Sequence, residues 1–172
     1  MHNSLELIEL LKKERYGAKV HQHDALFTVE DSKKQRGKIN GAHSKNLFLK
    51  NKKNEFYLLS CEEADKIDLK KISKSLYLGN ISFAKQEYLE QYLKIKPGSV
   101  SPFALLNDDR AFVNFYLEQT LYESKLVNFH PLINTFTITI ETNKFIEFMI
   151  ENNKKIHIFS SANGKVLKTY GK

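Results

Sequence analysis

Three stretches of the sequence hold residues whose types and spacing suit chemistry. Gly98-Ser99-Val100-Ser101-Pro102 is a glycine followed by a short loop with a proline at each end, Pro97 and Pro102. Such a loop turns backbone N–H groups along a fixed curve, where they can meet a carbonyl oxygen as negative charge develops on it. The same residues also suit a plain tight connection between a helix and a strand. Lys45, in Gly-Ala-His-Ser-Lys-Asn-Leu-Phe-Leu, stands between a glycine-containing loop and an apolar run. A lysine so placed either packs its stem at a sheet margin with its ammonium in a cleft, or remains a surface cation. His130 precedes Pro131 and follows Lys125-Leu126-Val127-Asn128-Phe129. Fixed at a strand end, it either donates to a substrate oxygen or caps the chain before the proline.

Other reactive residue types point away from familiar catalysis. His21 and His23 lie two apart, so on a strand both project from one face and, with His43 or His130, could hold a metal. No Cys/His spacing of a known metal site accompanies them, which favours solvated or hydrogen-bonded histidines and no metal. Cys61 closes the apolar run Phe-Tyr-Leu-Leu-Ser, without a neighbouring His in sequence to lower its pKa, and reads as a buried structural thiol. The G-x-S-x-G elbow, the G-x-G-x-x-G fingerprint and the P-loop are all absent.

The elements that must position these residues follow from pattern. Leu5, Ile8 and Leu11 predict a helix over 4–16, with Asn3 or Ser4 as its cap and Gly17 at its end. A strand near Val20 leads to a short helix from Thr28 to Arg36, ended by Gly37. The aromatic-rich runs flanking Asn51, Lys52, Lys53 and Asn54 predict a β-hairpin. Asp68 and Ser82 precede helical patterns, and Lys-Pro-Gly at 96–98 interrupts regular structure. Residues 103–117 predict a second hairpin turning at Asn107-Asp108-Asp109. Residues 135–140 alternate strictly between threonine and apolar side chains, as a strand does. A helix over about 143–152 and a strand at 156–161 end the pattern. Hairpins mixed with helices predict an α+β fold around a largely antiparallel sheet.

With 172 residues, no internal repeat and no linker-like tract, the chain is expected to form one domain spanning 1–172. A composition of 41% hydrophobic and 12% aromatic residues excludes disordered and fibrous classes. One cysteine precludes an internal disulfide, the N-terminal stretch does not read as a signal peptide, and no apolar run is long enough to span a bilayer. A cytoplasmic setting is expected. The net charge of +7 is uneven: residues 1–86 carry 17 basic and 11 acidic side chains, residues 87–172 carry 10 and 9. From 33 to 54 there are eight cations (Lys33, Lys34, Arg36, Lys38, Lys45, Lys50, Lys52 and Lys53) and no acid.

In order and spacing, FTVED at 27–31, GAHSKNLFLKNKK at 41–53, DLKKI at 68–72, LGNISFAKQEYL at 78–89, PGSVSPFALLND at 97–108 and VNFHPLINT at 127–135 resemble the YbaK superfamily of aminoacyl-tRNA deacylases. The resemblance is greatest to its free-standing prolyl-tRNA-editing branch. It implies a strongly twisted, mixed sheet, nearly a barrel, with surrounding helices. It also implies hydrolysis of the ester joining a wrong amino acid, typically alanine, to proline tRNA, without cofactor, metal or covalent nucleophile.

On this resemblance the family's lysine falls on Lys45 and anchors the terminal nucleotide. Its G-x-x-x-P loop falls on Gly98, Ser99, Val100, Ser101 and Pro102, whose backbone meets the ester carbonyl. Its histidine falls on His130, and Asn46 takes the position after the lysine. Phe27 is assigned to the amino-acid pocket or, equally, to the core. Lys33, Lys34, Arg36, Lys38, Lys50, Lys52 and Lys53 become the tRNA-facing surface. The implied partners are misacylated tRNA, with proline tRNA first, and transiently prolyl-tRNA synthetase; no membrane is involved and the chain acts as a monomer. The alternatives are a deacylase for another small aminoacyl group and a catalytically silent tRNA- or synthetase-binding module. Two residues depart from the family pattern, Ser44 for a common Thr and Ala104 for a common Gly; the second, on the loop side of the pocket, bears on amino-acid preference.

Overall fold

The computed structural model describes residues 3–24 and 39–171. The expected helix from Thr28 to Arg36, together with Phe27, Lys33, Lys34, Arg36 and Lys38, lies outside the described residues. The hairpin forms as the sequence predicts: β2 (Ala42–Lys50) and β3 (Phe56–Glu62) pair antiparallel from Ser44↔Glu62 to Lys50↔Phe56. Asn51 ties the connection, its side-chain oxygen accepting from the Lys53 and Glu55 N–H groups at 2.9 and 3.0 Å.

Around this hairpin runs a mixed sheet in the order β1-β7-β6-β2-β3-β5-β8-β9, with a short β4 (Ser82–Phe83) also on β2. The other strands are β1 (Lys19–Gln22), β5 (Val113–Glu118), β6 (Leu126–Phe129), β7 (Phe136–Glu141), β8 (Ile156–Ser160) and β9 (Lys165–Tyr170). Five of the eight pairings are antiparallel; β2–β6, β3–β5 and β5–β8 are parallel. The sheet is open: β1 and β9 end it without meeting.

Side chains alternate across the strands, which divides the interior in two. Phe48, Leu58, Phe115, Val127, Phe129, Ile138 and Ile158 face the main core. That core is closed by α1 (Ser4–Lys12) through Leu7, Ile8 and Leu11, and by a C-terminal helix through Phe145, Phe148 and Met149. Opposite lies a smaller core of Leu49, Tyr57, Leu59, Cys61 and Phe159, covered by α2 (Leu69–Ser75) through Ile72. The caps follow the sequence: Asn3 accepts from the Glu6 N–H at 2.9 Å and Asp68 from that of Lys71 at 3.0 Å.

Two expectations need correction. Ser82 does not cap a helix. Ser82 and Phe83 pair with Lys50 and Leu49, and helical turns follow as α3 (Gln86–Tyr88) and a π-turn (Leu89–Leu93). The second hairpin does not exist. Ser101 accepts from the Phe103 N–H, and Pro102 at the first position starts a 3-10 helix (Pro102–Asn107). β5 then pairs with β3 in parallel. The exposed strand β9, which carries no apolar alternation toward a core, is not foreseen in the sequence. The remaining helices are α4 (Gln119–Glu123) and α5 (Thr142–Glu151), the latter close to its expected span.

Candidate active site

Lys45 is the fourth residue of β2, opposite Cys61. Its ammonium donates to the backbone carbonyls of Glu63, at 3.2 Å, and Asp65. An ammonium has three N–H donors, so one remains beyond the two that seat it. The carboxyl of Asp65 is shielded, and its Oδ2 has no partner among the described residues. Burial, with the nearby acids Glu118 and Glu62, pushes this carboxyl above its ordinary range, and Lys45 acts against that rise.

His130 follows β6 directly. The β2–β6 register pairs Ala42 with Val127 and His43 with Asn128; continued two residues along both strands, it sets Lys45 level with His130. Gly41 makes this approach feasible, because a Cβ at its φ of +99° would lie 2.9 Å from Leu126 Cβ. His130 Nδ1 donates to the Phe136 carbonyl at 2.8 Å, so the neutral ring leaves Nε2 as an acceptor. Burial holds its pKa below the ordinary histidine range. The Phe136 carbonyl and Glu63 oppose the shift, while His23 and His43 add to it.

The loop at 98–102 reaches the same region from the other side. Gly98 has φ +85°, and a Cβ there would lie 3.6 Å from the side-chain amide of Asn134, four residues past His130. Ser99 N–H closes a turn onto the Lys96 carbonyl at 3.2 Å. The N–H groups of Gly98, Val100 and Ser101 have no partner among the described residues. Ser99, Ser101 and Pro102 are buried, and Val100 packs against the main core. The chain leaving β4 on one side of β2 thus meets the β6–β7 connection on the other through Gly98.

Asn46 points to the opposite face from Lys45. Its Oδ1 accepts from Ser60 Oγ at 2.5 Å and its Nδ2 donates to Ser44 Oγ at 3.3 Å, while Ser44 Oγ donates to the Asn128 carbonyl at 2.9 Å. Ala104 is fully buried in the main core. The basic run is split by strand geometry. Lys50 lies an odd number of residues from Lys45, so it projects from the other face, over the Tyr88 ring at 5.1 Å and bonded to Asn54 Oδ1 at 2.7 Å. Lys52 and Lys53 are exposed at the hairpin tip, roughly 20 Å along the strand from Lys45 at ~3.3 Å per residue.

The nucleophile types near the site are committed elsewhere. Cys61 is fully buried, and burial pushes its thiol up to about 12. His21 and His23 do share a face, bonded to Thr139 Oγ1 at 3.1 Å and Thr137 Oγ1 at 2.9 Å. No group of three His, Cys, Asp or Glu is placed to hold a metal ion among the described residues.

One connection could not be read from the sequence. Asn128 donates from Nδ2 to the carbonyls of Asn40, at 2.9 Å, and Ala42, at 3.3 Å; its Oδ1 accepts from Thr139 Oγ1 at 2.5 Å. Since the Thr139 proton goes to Asn128, His21 Nε2 must be the donor in its bond to Thr139. This directed chain ties β1, β7 and β6 to the entry of β2, upstream of Lys45.

Residues 23–148 match the aminoacyl-tRNA editing domain. The chain is 34% identical over 120 residues to the prolyl-tRNA editing protein ProX of Acetoanaerobium sticklandii, covering 69% of this chain and 73% of that protein. It is 36% identical over 135 residues to the prolyl-tRNA synthetase associated domain-containing protein 1 of Bos taurus, covering 76% and 78%. A solved structure described as a candidate trans-editing enzyme for prolyl-tRNA synthetase superposes with a TM-score of 0.64 at 17% identity, over 91% of this chain and 96% of that one, and so shares its fold. By that match and those identities the chain belongs to the YbaK-type aminoacyl-tRNA editing domain family and, with it, to the aminoacyl-tRNA deacylases.

Proposed function

We propose that the chain hydrolyses the ester of alanyl-tRNA(Pro) in trans. The observation that carries this reading is the match of residues 23–148 to the aminoacyl-tRNA editing domain, supported by a β2–β6 register that continues to set Lys45 level with His130 and by the approach of Gly98 to Asn134. Lys45, seated by two carbonyls, offers its third N–H to a phosphate of the terminal nucleotide. The loop amides meet the ester carbonyl and stabilise the oxyanion as water adds to the carbon. The C–O ester bond then breaks, the proton from water passing to the departing ribose oxygen, and alanine and tRNA leave. His130, neutral above its lowered pKa, accepts a hydrogen bond through Nε2 and orients the ribose hydroxyl or the water.

An aminoacyl ester is already activated, so positioning and oxyanion stabilisation suffice without a metal or a covalent nucleophile. A pocket distinguishes side chains differing by one methylene by only ~1–3 kcal/mol. Contacts to tRNA must therefore share the discrimination against other charged tRNAs. Lys50, Lys52 and Lys53, with Lys33, Lys34, Arg36 and Lys38, supply those contacts to phosphates. In this reading the enzyme works in the cytoplasm as a monomer, in passing contact with prolyl-tRNA synthetase.

The test is hydrolysis of labelled alanyl-tRNA(Pro) beside a panel of other aminoacyl-tRNAs. Wild type deacylates alanyl-tRNA(Pro) fastest, and Lys45→Ala lowers kcat/KM on the order of 100-fold, the worth of one charged hydrogen bond. No turnover by wild type defeats the reading. Full activity of Lys45→Ala defeats only the role given to the lysine.

A further inference from the structure

The edge of β2 is interrupted at the site. β6 pairs with β2 only at Ala42 and His43, and β4 only at Leu49 and Lys50, so no described strand covers that edge between them. The phase of the β2–β3 ladder decides which main-chain groups face the gap. Glu63 N–H donates to the His43 carbonyl at 2.8 Å and Asn51 N–H to that of Glu55 at 3.1 Å. In an antiparallel ladder bonded and non-bonded pairs alternate, so His43, Lys45, Leu47, Leu49 and Asn51 turn N–H and C=O toward β3. Ser44, Asn46 and Phe48 turn theirs the other way, and the Phe48 carbonyl indeed accepts from Ala84 N–H at 3.0 Å, beyond β4. Ser44 lies at the end of the β6 pairing, which leaves Asn46 in the middle of the gap. Its N–H and C=O have no partner among the described residues, and they belong to the residue beside Lys45.

A single α-aminoacyl ester has the shape that completes such a position. Its ammonium and its carbonyl oxygen correspond to the N–H and C=O of one strand residue, which in extended conformation project to the same side. Resting on the function proposed above, we propose that the main chain of Asn46 binds the substrate's aminoacyl group as a one-residue β-strand. The ammonium donates to the Asn46 carbonyl, and the Asn46 N–H donates to the ester carbonyl. The second lone pair of that ester oxygen is left for an amide of the Gly98 loop, so the oxyanion is held from both walls. The strand thereby reads the part common to all amino acids and leaves the side chain to the rest of the pocket.

Proline provides the test, because a strand tolerates it where the N–H does not enter the ladder. Asn46→Pro removes the N–H, whereas Asn46→Ala removes the side-chain bonds to Ser44 and Ser60 and keeps it. With both variants folded by circular dichroism, Asn46→Pro is expected to hydrolyse alanyl-tRNA(Pro) with kcat/KM about 100-fold below Asn46→Ala, the usual loss for one oxyanion donor. Equal activity of the two overturns the proposal.

Hydrogen exchange in the wild type decides if the proline variant does not fold. Saturation with 3′-(L-alanylamino)-3′-deoxyadenosine is expected to slow exchange of the Asn46 amide at least tenfold, and the desamino analogue 3′-propionylamino-3′-deoxyadenosine is expected to protect it less. Unchanged exchange while the His130 ring resonances report binding overturns the strand pairing and leaves the editing reading intact. A wild type that does not turn over alanyl-tRNA(Pro) removes both.

Discussion

The face of the sheet that carries Lys45 is built in two contrasting ways. Toward β3, β5 and β8 it is an apolar layer, with Leu49, Leu59, Cys61 and Phe159 buried beneath α2. Toward β6, β7 and β1 the same face carries His43, Asn128, Thr137, Thr139, His21 and His23; Asn128, Thr139 and His21 are joined by hydrogen bonds whose directions are fixed, and His23 bonds Thr137. Lys45 stands where one regime passes into the other. Packing holds a shape but offers no donors, and the directed polar chain offers donors but few contacts. A cation that must stay in one place and still touch a ligand is best held at their boundary, by carbonyls rather than by a carboxylate that would neutralise it.

The contrast can be tested by damaging each half in turn. Leu59→Ala empties a fully buried site in the apolar half and is expected to lower stability by about 3 kcal/mol, read from the urea midpoint at constant slope. Deacylation below the unfolding midpoint should change little, because the cavity lies on the far side of the lysine from the gap. Asn128→Ala costs less stability, about 2 kcal/mol, since the carbonyls of Asn40 and Ala42 and the buried Thr139 hydroxyl lose their bonds to it. It should nevertheless lower kcat/KM more than Leu59→Ala, because Asn128 fixes Asn40 and Ala42 at the entry of β2. If Leu59→Ala proves the more damaging to activity, the division of labour is wrong.

Acid provides the mildest probe, and it reaches the polar half through His21 and His130. Burial lowers the pKa of His21 and His130 below the ordinary histidine value of 6.5. A depressed histidine pKa means that the unfolded chain takes up protons first as pH falls. The stability these neutral rings contribute is therefore full above pH 6.5 and is lost as pH falls from there through their folded values. The melting temperature should decline across that interval, and His21→Gln should flatten the decline. An unchanged slope in His21→Gln would remove that ring from the account.

The sequence made some of this legible and hid the rest for physical reasons. The β2–β3 hairpin, the caps Asn3 and Asp68, and the strand leading to His130 depend on local pattern, and local pattern recovers them. Phe83 looks helical in its own neighbourhood, yet its pairing with Leu49 is a tertiary choice. Phe103 to Leu106 look like a buried strand, because burial on all sides gives an apolar run in either geometry; the proline and serine at its start decide for a 3-10 helix. Lys45, Gly98 and His130 stood out by type, but the relation between Lys45 and His130 depends on parallel pairing, which leaves no local mark. The basic stretch misled in another way: it reads as one patch along the chain, and the pleat sends Lys45 and Lys50 to opposite faces.

The parallel contact of β2 with β6 also dictates when the site can exist. On a ribosome the hairpin is complete long before β6 emerges, and β1 must wait longer still for β7, its partner from Lys19↔Thr139 to Gln22↔Phe136. Closing such long loops is entropically costly and slow compared with hairpin formation. During that interval β4 covers β2 only at Leu49 and Lys50, and the rest of the edge is a template for wrong pairing until β6 arrives. The gap beside Asn46 is what remains of that edge once the chain is finished.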